Sequence, residues 1–331
     1  MKKIGNTGSF KKFYLNDQIY VDKTEYIYNL INNEARVFIS RPRRFGKSLT
    51  LDTIATLFET GVEPYFKGTW IYDKWTEPTY PVLRLNFLNF DKNSLEKFNN
   101  KLNSKITEFA ELNHVTSYKE KEEAEDSIDH LLEQLRLENR QIVILIDEYD
   151  CQMTANINNE TLYKQFQEKI KSFYANIKDK FAIKFLGITG VTRLKDVAIF
   201  SVGSDINDIT NDSAYSQMIG FTRDEIKKYY IDYLKLAASC ENNCSVDKVT
   251  EAQIESLLDR LAKNYDGYCF DEFYKKKVFS TWSVNKFFQS VVSNKFVYFG
   301  EYWYDNGGLP SILVNYLKTH ELNSFDYLNK E

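Results

Sequence analysis

The chain has 331 residues, 43% hydrophobic and 27% charged, an ordinary balance for a water-soluble protein long enough for about two domains. Its formal net charge of −4 supplies no global basic field, so any contact with nucleic acid would need a local patch. The start of the chain lacks the apolar core of a signal peptide, and no apolar run reaches membrane-spanning length, so a cytoplasmic protein without a membrane partner is expected.

Taken in chain order, Tyr20-Val21-Asp22-Lys23-Thr24 leads into a short amphipathic stretch through Ile27, Leu30 and Ile31, which Asn32-Asn33-Glu34 breaks. Val37-Phe38-Ile39 reads as a strand. After the loop Arg41-Pro42-Arg43-Arg44-Phe45-Gly46-Lys47-Ser48, helical spacing appears at Leu51, Ile54, Leu57 and Phe58 and stops at Gly61 and Pro64. Pro81 to Phe87 is a second strand, and Phe98, Leu102, Ile106 and Phe109 mark a helix. The charge run over 119–126 is a solvated helix start or loop, continued as a helix by Ile128, Leu131, Leu132 and Leu135.

Ile142-Val143-Ile144-Leu145-Ile146 is short and β-branched, as a strand buried on both faces should be. A helical stripe follows at Leu162, Phe166, Ile170, Phe173 and Ile177, and Phe181 to Ile188 is another buried strand. Strands alternating with helices predict an α/β fold, a parallel sheet with helices on both faces. Beyond residue 213 the pattern changes. Capping boxes at Thr222–Glu225 and Thr250–Gln253 open short helices, with no further strong strands expected. The predicted organisation is a core over 1–213, a smaller helical lid over 214–280 and a C-terminal helical segment over 281–331. The four cysteines lack a second Cys/His pair at zinc-finger spacing, and the 15% aromatic content reads as packing.

The chemistry concentrates at three strand ends. Strand, tight loop with Gly46-Lys47-Ser48, then helix is the geometry that wraps backbone N–H groups around a phosphate chain. Lys47 would reach the β/γ-phosphates and the Ser48 hydroxyl would hold Mg²⁺. One departure stands out: the loop opens with Arg41 where glycine is usual. A basic surface turn is the bland alternative. Asp147-Glu148 sits at the tip of the 142–146 strand, where α/β folds place ligands. The Asp suits Mg²⁺ and the Glu suits a general base on water, a pairing that favours hydrolysis over binding alone. Asp150 reads as structural. Thr189, at the tip of the next strand, can hydrogen-bond the attacking water or γ-phosphate, and Thr192 lies in the turn after it. Arg193 either stabilises charge on the transferring phosphoryl group, in its own subunit or a neighbour's in a homo-oligomer, or pairs with a surface carboxylate. Arg41, Arg43 and Arg44 add charge against the phosphates, contact a second subunit, or are solvated.

Together with Tyr20-Val21-Asp22-Lys23-Thr24 and Leu145-Ile146-Asp147-Glu148-Tyr149-Asp150, the Arg41–Leu49 loop resembles the predicted AAA-ATPase-like family. Thr189-Gly190-Val191-Thr192-Arg193, Ile219-Gly220-Phe221-Thr222, Tyr265-Asp266-Gly267-Tyr268 and Trp282-Ser283-Val284 match the same pattern. In that family Arg at the first-Gly position is normal. The resemblance implies a P-loop NTPase core with a helical lid, ATP and Mg²⁺ as cofactors, and nucleotide contacts from Arg43, Arg44, Phe45, Gly46, Lys47, Ser48 and Leu49. Many members continue into a restriction-endonuclease-like domain. Here the sequence stops at Glu331 without a spaced acidic-and-lysine site, so nuclease activity is not expected of this polypeptide. The expected function is Mg²⁺-dependent ATP hydrolysis coupled to lid movement. The alternatives are a slow nucleotide-binding switch, or the ATPase component of a nucleic-acid-processing system with a separate nuclease.

Overall fold

Strand β1 (Arg36–Ser40) sends Phe38 into one apolar cluster and Val37 and Ile39 into another, so the sheet it belongs to is buried on both faces. A computed structural model describes residues 1–177, 180–193 and 205–302. Within them β1, β2 (Val82–Asn86), β3 (Ile142–Asp147), β4 (Ile183–Gly190) and β5 (Asn207–Asp208) form one sheet in the order β2-β3-β4-β1-β5, all pairs parallel. Parallel strands need crossovers that cover both faces, and the sequence supplies them.

On the first face Leu83, Leu85, Ile144, Ile146, Leu186 and Ile188 meet α4 (Leu95–Leu112), α5 (Ala124–Leu137) and α7 (Glu160–Ile177). On the second, Val143, Leu145 and Phe185 meet α2 (Thr24–Asn33) and α3 (Lys47–Thr60). The aromatic surplus is spent in this packing. Phe58, for example, is fully buried against the rings of Trp75, Tyr80 and Phe185.

A third core is helical. It joins α8 (Arg223–Tyr229), α9 (Ile231–Asn242), α10 (Glu251–Tyr265) and α11 (Thr281–Asn294). Both expected capping boxes are formed, at Thr222/Glu225 and Thr250/Gln253. The N-terminal segment also enters this core through Ile19 and Val21, while Tyr20 packs in the second. Between them Asp22 accepts from Thr24 N, Thr24 Oγ1 and Trp70 N. Lys23, buried, donates to the Gln217 carbonyl at 2.7 Å and pairs with Glu225 at 2.6 Å.

Several elements differ from expectation. An antiparallel hairpin of β6 (Asp266–Cys269) and β7 (Lys277–Phe279) lies where only helices were expected. Its Asp-Gly-Tyr-Cys strand has no clean apolar alternation, and Tyr268 packs partly buried against the second core. Strand β4 starts two residues later than the apolar run suggests and extends through Gly190, and Phe181 is exposed. Two short helices, α1 (Phe10–Leu15) and α6 (Cys151–Ala155), are too brief to show a period. Among the described residues, no helix is long and apolar enough to cross a membrane.

Candidate functional site

Strand β1 delivers the chain to the loop at Arg41, whose amide bonds the Gly190 carbonyl at 3.2 Å and ties the tips of β1 and β4. The loop then turns into α3 at Gly46, which has φ 107 and open space where a Cβ would stand. That conformation is why glycine precedes the lysine. Lys47 is buried in the first turn of α3. Its Nζ donates to the carbonyls of Arg41 at 3.1 Å and Pro42 at 3.3 Å, and stands 3.6 Å from Glu148 Oε1.

Asp147 is the hub. Ser48 Oγ donates to its Oδ2 at 2.6 Å, and Thr189 Oγ1 donates to its Oδ1 at 2.5 Å. The Glu148 amide reaches Oδ1 as well, at 3.1 Å. Glu148 has φ 53, a left-handed conformation that a glutamate adopts only at some cost. Burial raises its carboxyl above the ordinary range, against the opposing pull of Lys47. Register explains the meeting. Strand β4 lies between β1 and β3, with Thr189 opposite Ile39, and the Tyr149 amide bonds the Thr189 carbonyl at 3.1 Å. The predicted Lys47, Ser48, Asp147, Glu148 and Thr189 thus converge from three elements far apart in sequence.

Asp150 is buried and spends its carboxylate on the turn after β4. It accepts from Val191 N at 3.1 Å, Thr192 N at 2.6 Å and the Thr192 hydroxyl. Arg193 follows, half-buried, and its charge falls on the Arg41 guanidinium. Arg41 differs from the sequence expectation of a cation that faces the phosphates, meets a second subunit or is solvated. It is 1% exposed, donates to the Ser40 and Thr210 carbonyls, and lies 4.1 Å from the Phe270 ring centroid. Burial, with Arg193 adding to it, pushes its pKa down to about 9.

The loop opens into a cavity of about 640 Å³, a volume ordinary for a nucleotide-sized ligand. Arg43, Ser48, Leu49 and Glu148 are among its lining residues. Gly5–Gly8 and Asn285, which sequence reasoning missed, line it too, with Tyr20 and Gly220 from stretches that carry the family resemblance. Asn285 Nδ2 donates to the Gly5 carbonyl at 3.2 Å and to Asn6 Oδ1 at 3.0 Å, and its Oδ1 accepts from Tyr230.

For a divalent cation, the donors present are one hydroxyl and one carboxylate, Ser48 and Asp147, whose oxygens are already in contact. Hard oxygen donors of this kind suit Mg²⁺, which takes its remaining ligands from water and phosphate. No cluster of three or more His, Cys, Asp or Glu offers an all-protein alternative among the described residues.

The chain belongs to the predicted AAA-ATPase family, whose model matches residues 4–200. It is 33% identical over 241 residues to an uncharacterized protein in the vnfD 5′ region of Azotobacter chroococcum mcd 1. That match takes in 66% of this chain and 45% of the relative, so the chain spans less than half of that protein's length. Among solved structures it is similar to Cdc6p from Pyrobaculum aerophilum, at 14% identity and a TM-score of 0.31, over 70% of this chain and 53% of that one. It is also similar to the ORC2 protein of Aeropyrum pernix, solved as ADPNP–ADP complexes, at 13% identity and a TM-score of 0.29, over 72% and 66% of the two chains.

Proposed function

We propose that this member of the predicted AAA-ATPase family binds ATP with Mg²⁺ in the cavity at Lys47 and hydrolyses it. The observation that carries this is the sharing of Asp147 between Ser48 and Thr189, with Glu148 beside Lys47. Loop amides over residues 43–49 hold the phosphate chain, and Lys47 exchanges its present carbonyl partners for phosphate oxygens. Ser48 and Asp147 would hold Mg²⁺, which supplies charge neutralisation at the phosphates. Glu148 takes the proton of the attacking water, and Thr189 orients that water or the γ-phosphate. Arg193 meets the charge developing on the transferred group, in this subunit or a neighbour's. The core over 1–213 carries the chemistry, and residues 214–280, the helices with their β6–β7 hairpin, close over the nucleotide.

Lys47→Ala removes a charged donor from the phosphates, a contact worth about 1.5–3 kcal/mol, so ATP binding should weaken by roughly tenfold or more and turnover should fall to background. Titration with a fluorescent ATP analogue and a phosphate-release assay read the two effects. Equal rates for wild type and Lys47→Ala would end the hydrolase proposal.

The raised Glu148 carboxyl sets the sign of the pH dependence. The base works ionised, so activity is present above its pKa and lost as pH falls through it. Because burial moves that pKa upward, the acid limb of kcat/KM should lie above the free-glutamate value of about 4.3. A limb at or below that value would remove Glu148 from the base role.

A further inference from the structure

The hairpin of β6 and β7 is firm at its root and bare at its tip. Val278 and Phe279 are fully buried, Tyr268 packs against the second core, and the Phe270 ring lies under the Arg41 guanidinium. The chain then reverses over Asp271-Glu272-Phe273-Tyr274 and returns through Lys275-Lys276-Lys277. Phe273 is 60% exposed and Tyr274 82%. Scattered exposed rings need no explanation, but these two are adjacent and stand beside three lysines.

The exposure is built into the turn. Asp271, itself buried, accepts from Lys275 N at 2.9 Å and Lys276 N at 3.1 Å through its carboxylate, and its carbonyl accepts from Tyr274 N at 2.9 Å. The Glu272 amide bonds the Asn211 carbonyl at 2.9 Å, and Lys276 Nζ donates to the Ser213 carbonyl at 2.8 Å. Lys276 is thus turned inward, while Lys275 and Lys277 on either side of it are exposed, the alternation of an extended chain. Tyr274 has φ 56, a conformation that glycine adopts without strain and tyrosine does not. Its ring adds nothing to any of the three cores. Charge at the tip is mainly positive: Asp271 is occupied by backbone amides, Asp212 accepts from the Ala214 amide, and Glu272 is the one exposed acid between Phe270 and Lys277.

We propose that the tip of the β6–β7 hairpin binds a single-stranded polynucleotide, with Phe273 and Tyr274 stacking on bases and Lys275 and Lys277 meeting the phosphates. Ring faces match nucleobases, and bases offer their own faces only where they are unstacked. Ammonium groups beside the rings match the phosphate that follows each base. A chain with a net charge of −4 needs a local basic patch for such a contact, and the tip supplies one. None of residues 271–277 lines the cavity at Lys47, so the proposal stands apart from ATP binding.

Fluorescence anisotropy of the full chain with labelled oligothymidylate and oligouridylate, across a range of salt, tests the site. Wild type should bind at least one of them, and should bind a duplex of the same length more weakly. Tyr274→Ala should weaken binding by about fivefold or more, the loss of one stacked base, whereas Tyr274→Trp should not. Changing Lys275→Glu together with Lys277→Glu should flatten the slope of log affinity against log salt by about 1.4, the share of two single-strand phosphate contacts. Tyr274→Gly relieves the backbone, so it should unfold at or above the wild-type temperature while losing the oligonucleotide as Tyr274→Ala does; a folding defect would not separate the two readouts. Unchanged binding in Tyr274→Ala, equal affinity for the duplex, or a wild type that binds neither oligonucleotide overturns the proposal. In the last case, Tyr274-dependent co-sedimentation with phosphatidylserine vesicles would assign the tip to an anionic membrane surface instead.

Discussion

Glu148→Gln should bind ATP about as tightly as wild type while its kcat falls by about 10²–10⁴-fold, the usual worth of a positioned general base. The substitution keeps the shape and hydrogen-bonding reach of the side chain and removes its capacity to take a proton. Its surroundings support that separation. Ser48, Thr189 and the residue 148 amide all bond Asp147, not the Glu148 carboxyl, so the hub survives the change. Lys47 keeps both carbonyl partners and loses only the 3.6 Å approach of Oε1. Single-turnover phosphate release measured beside equilibrium ATP binding reads the two quantities separately. A variant that turns over at the wild-type rate would place the base elsewhere.

Asp150→Ala should destabilise the chain by about 2–5 kcal/mol, because two backbone N–H groups and a hydroxyl lose a buried acceptor together. No neighbour can replace it. A Cβ on Gly190 would meet the Tyr149 ring at 2.3 Å and Asp150 Oδ1 at 2.9 Å, so ring and carboxylate already fill the space over that residue. Tyr149 is fully buried and its ring packs edge-on against Phe38, which closes the remaining side. Asp150→Asn retains one acceptor oxygen and should recover part of the loss. Denaturant unfolding of the three proteins makes the comparison. A change under about 0.5 kcal/mol for Asp150→Ala, the range of an ordinary surface substitution, would mean that the turn finds other partners.

What the sequence disclosed and what it hid have physical causes. The central strands were legible because burial on both faces leaves an unmixed apolar run, and the Asp147 and Glu148 carboxylates were legible because they interrupt such a run at its end. Thr189 followed from the same logic, one strand over. Arg41 was not legible. An arginine in a loop looks solvated, and what buries it is Phe270 of a hairpin more than 200 residues later, whose strands carry no alternating pattern. The wall at Gly5–Gly8 was hidden for a similar reason. Small polar residues say nothing until Asn285, from the last described helix, bonds to them.

Lys23 has a consequence of its own. Its ammonium, buried and held below the ordinary lysine range by desolvation, is partnered by Glu225 and the Gln217 carbonyl, both outside the sheet's own packing. Pulling the helical half away would strand that charge in an apolar setting, and the same Glu225 would lose its counter-ion while capping α8. Neither half can therefore come undone alone without exposing a fault in the other. Unfolding of the helical half should be coupled to that of the sheet, although three separate cores lie among the described residues.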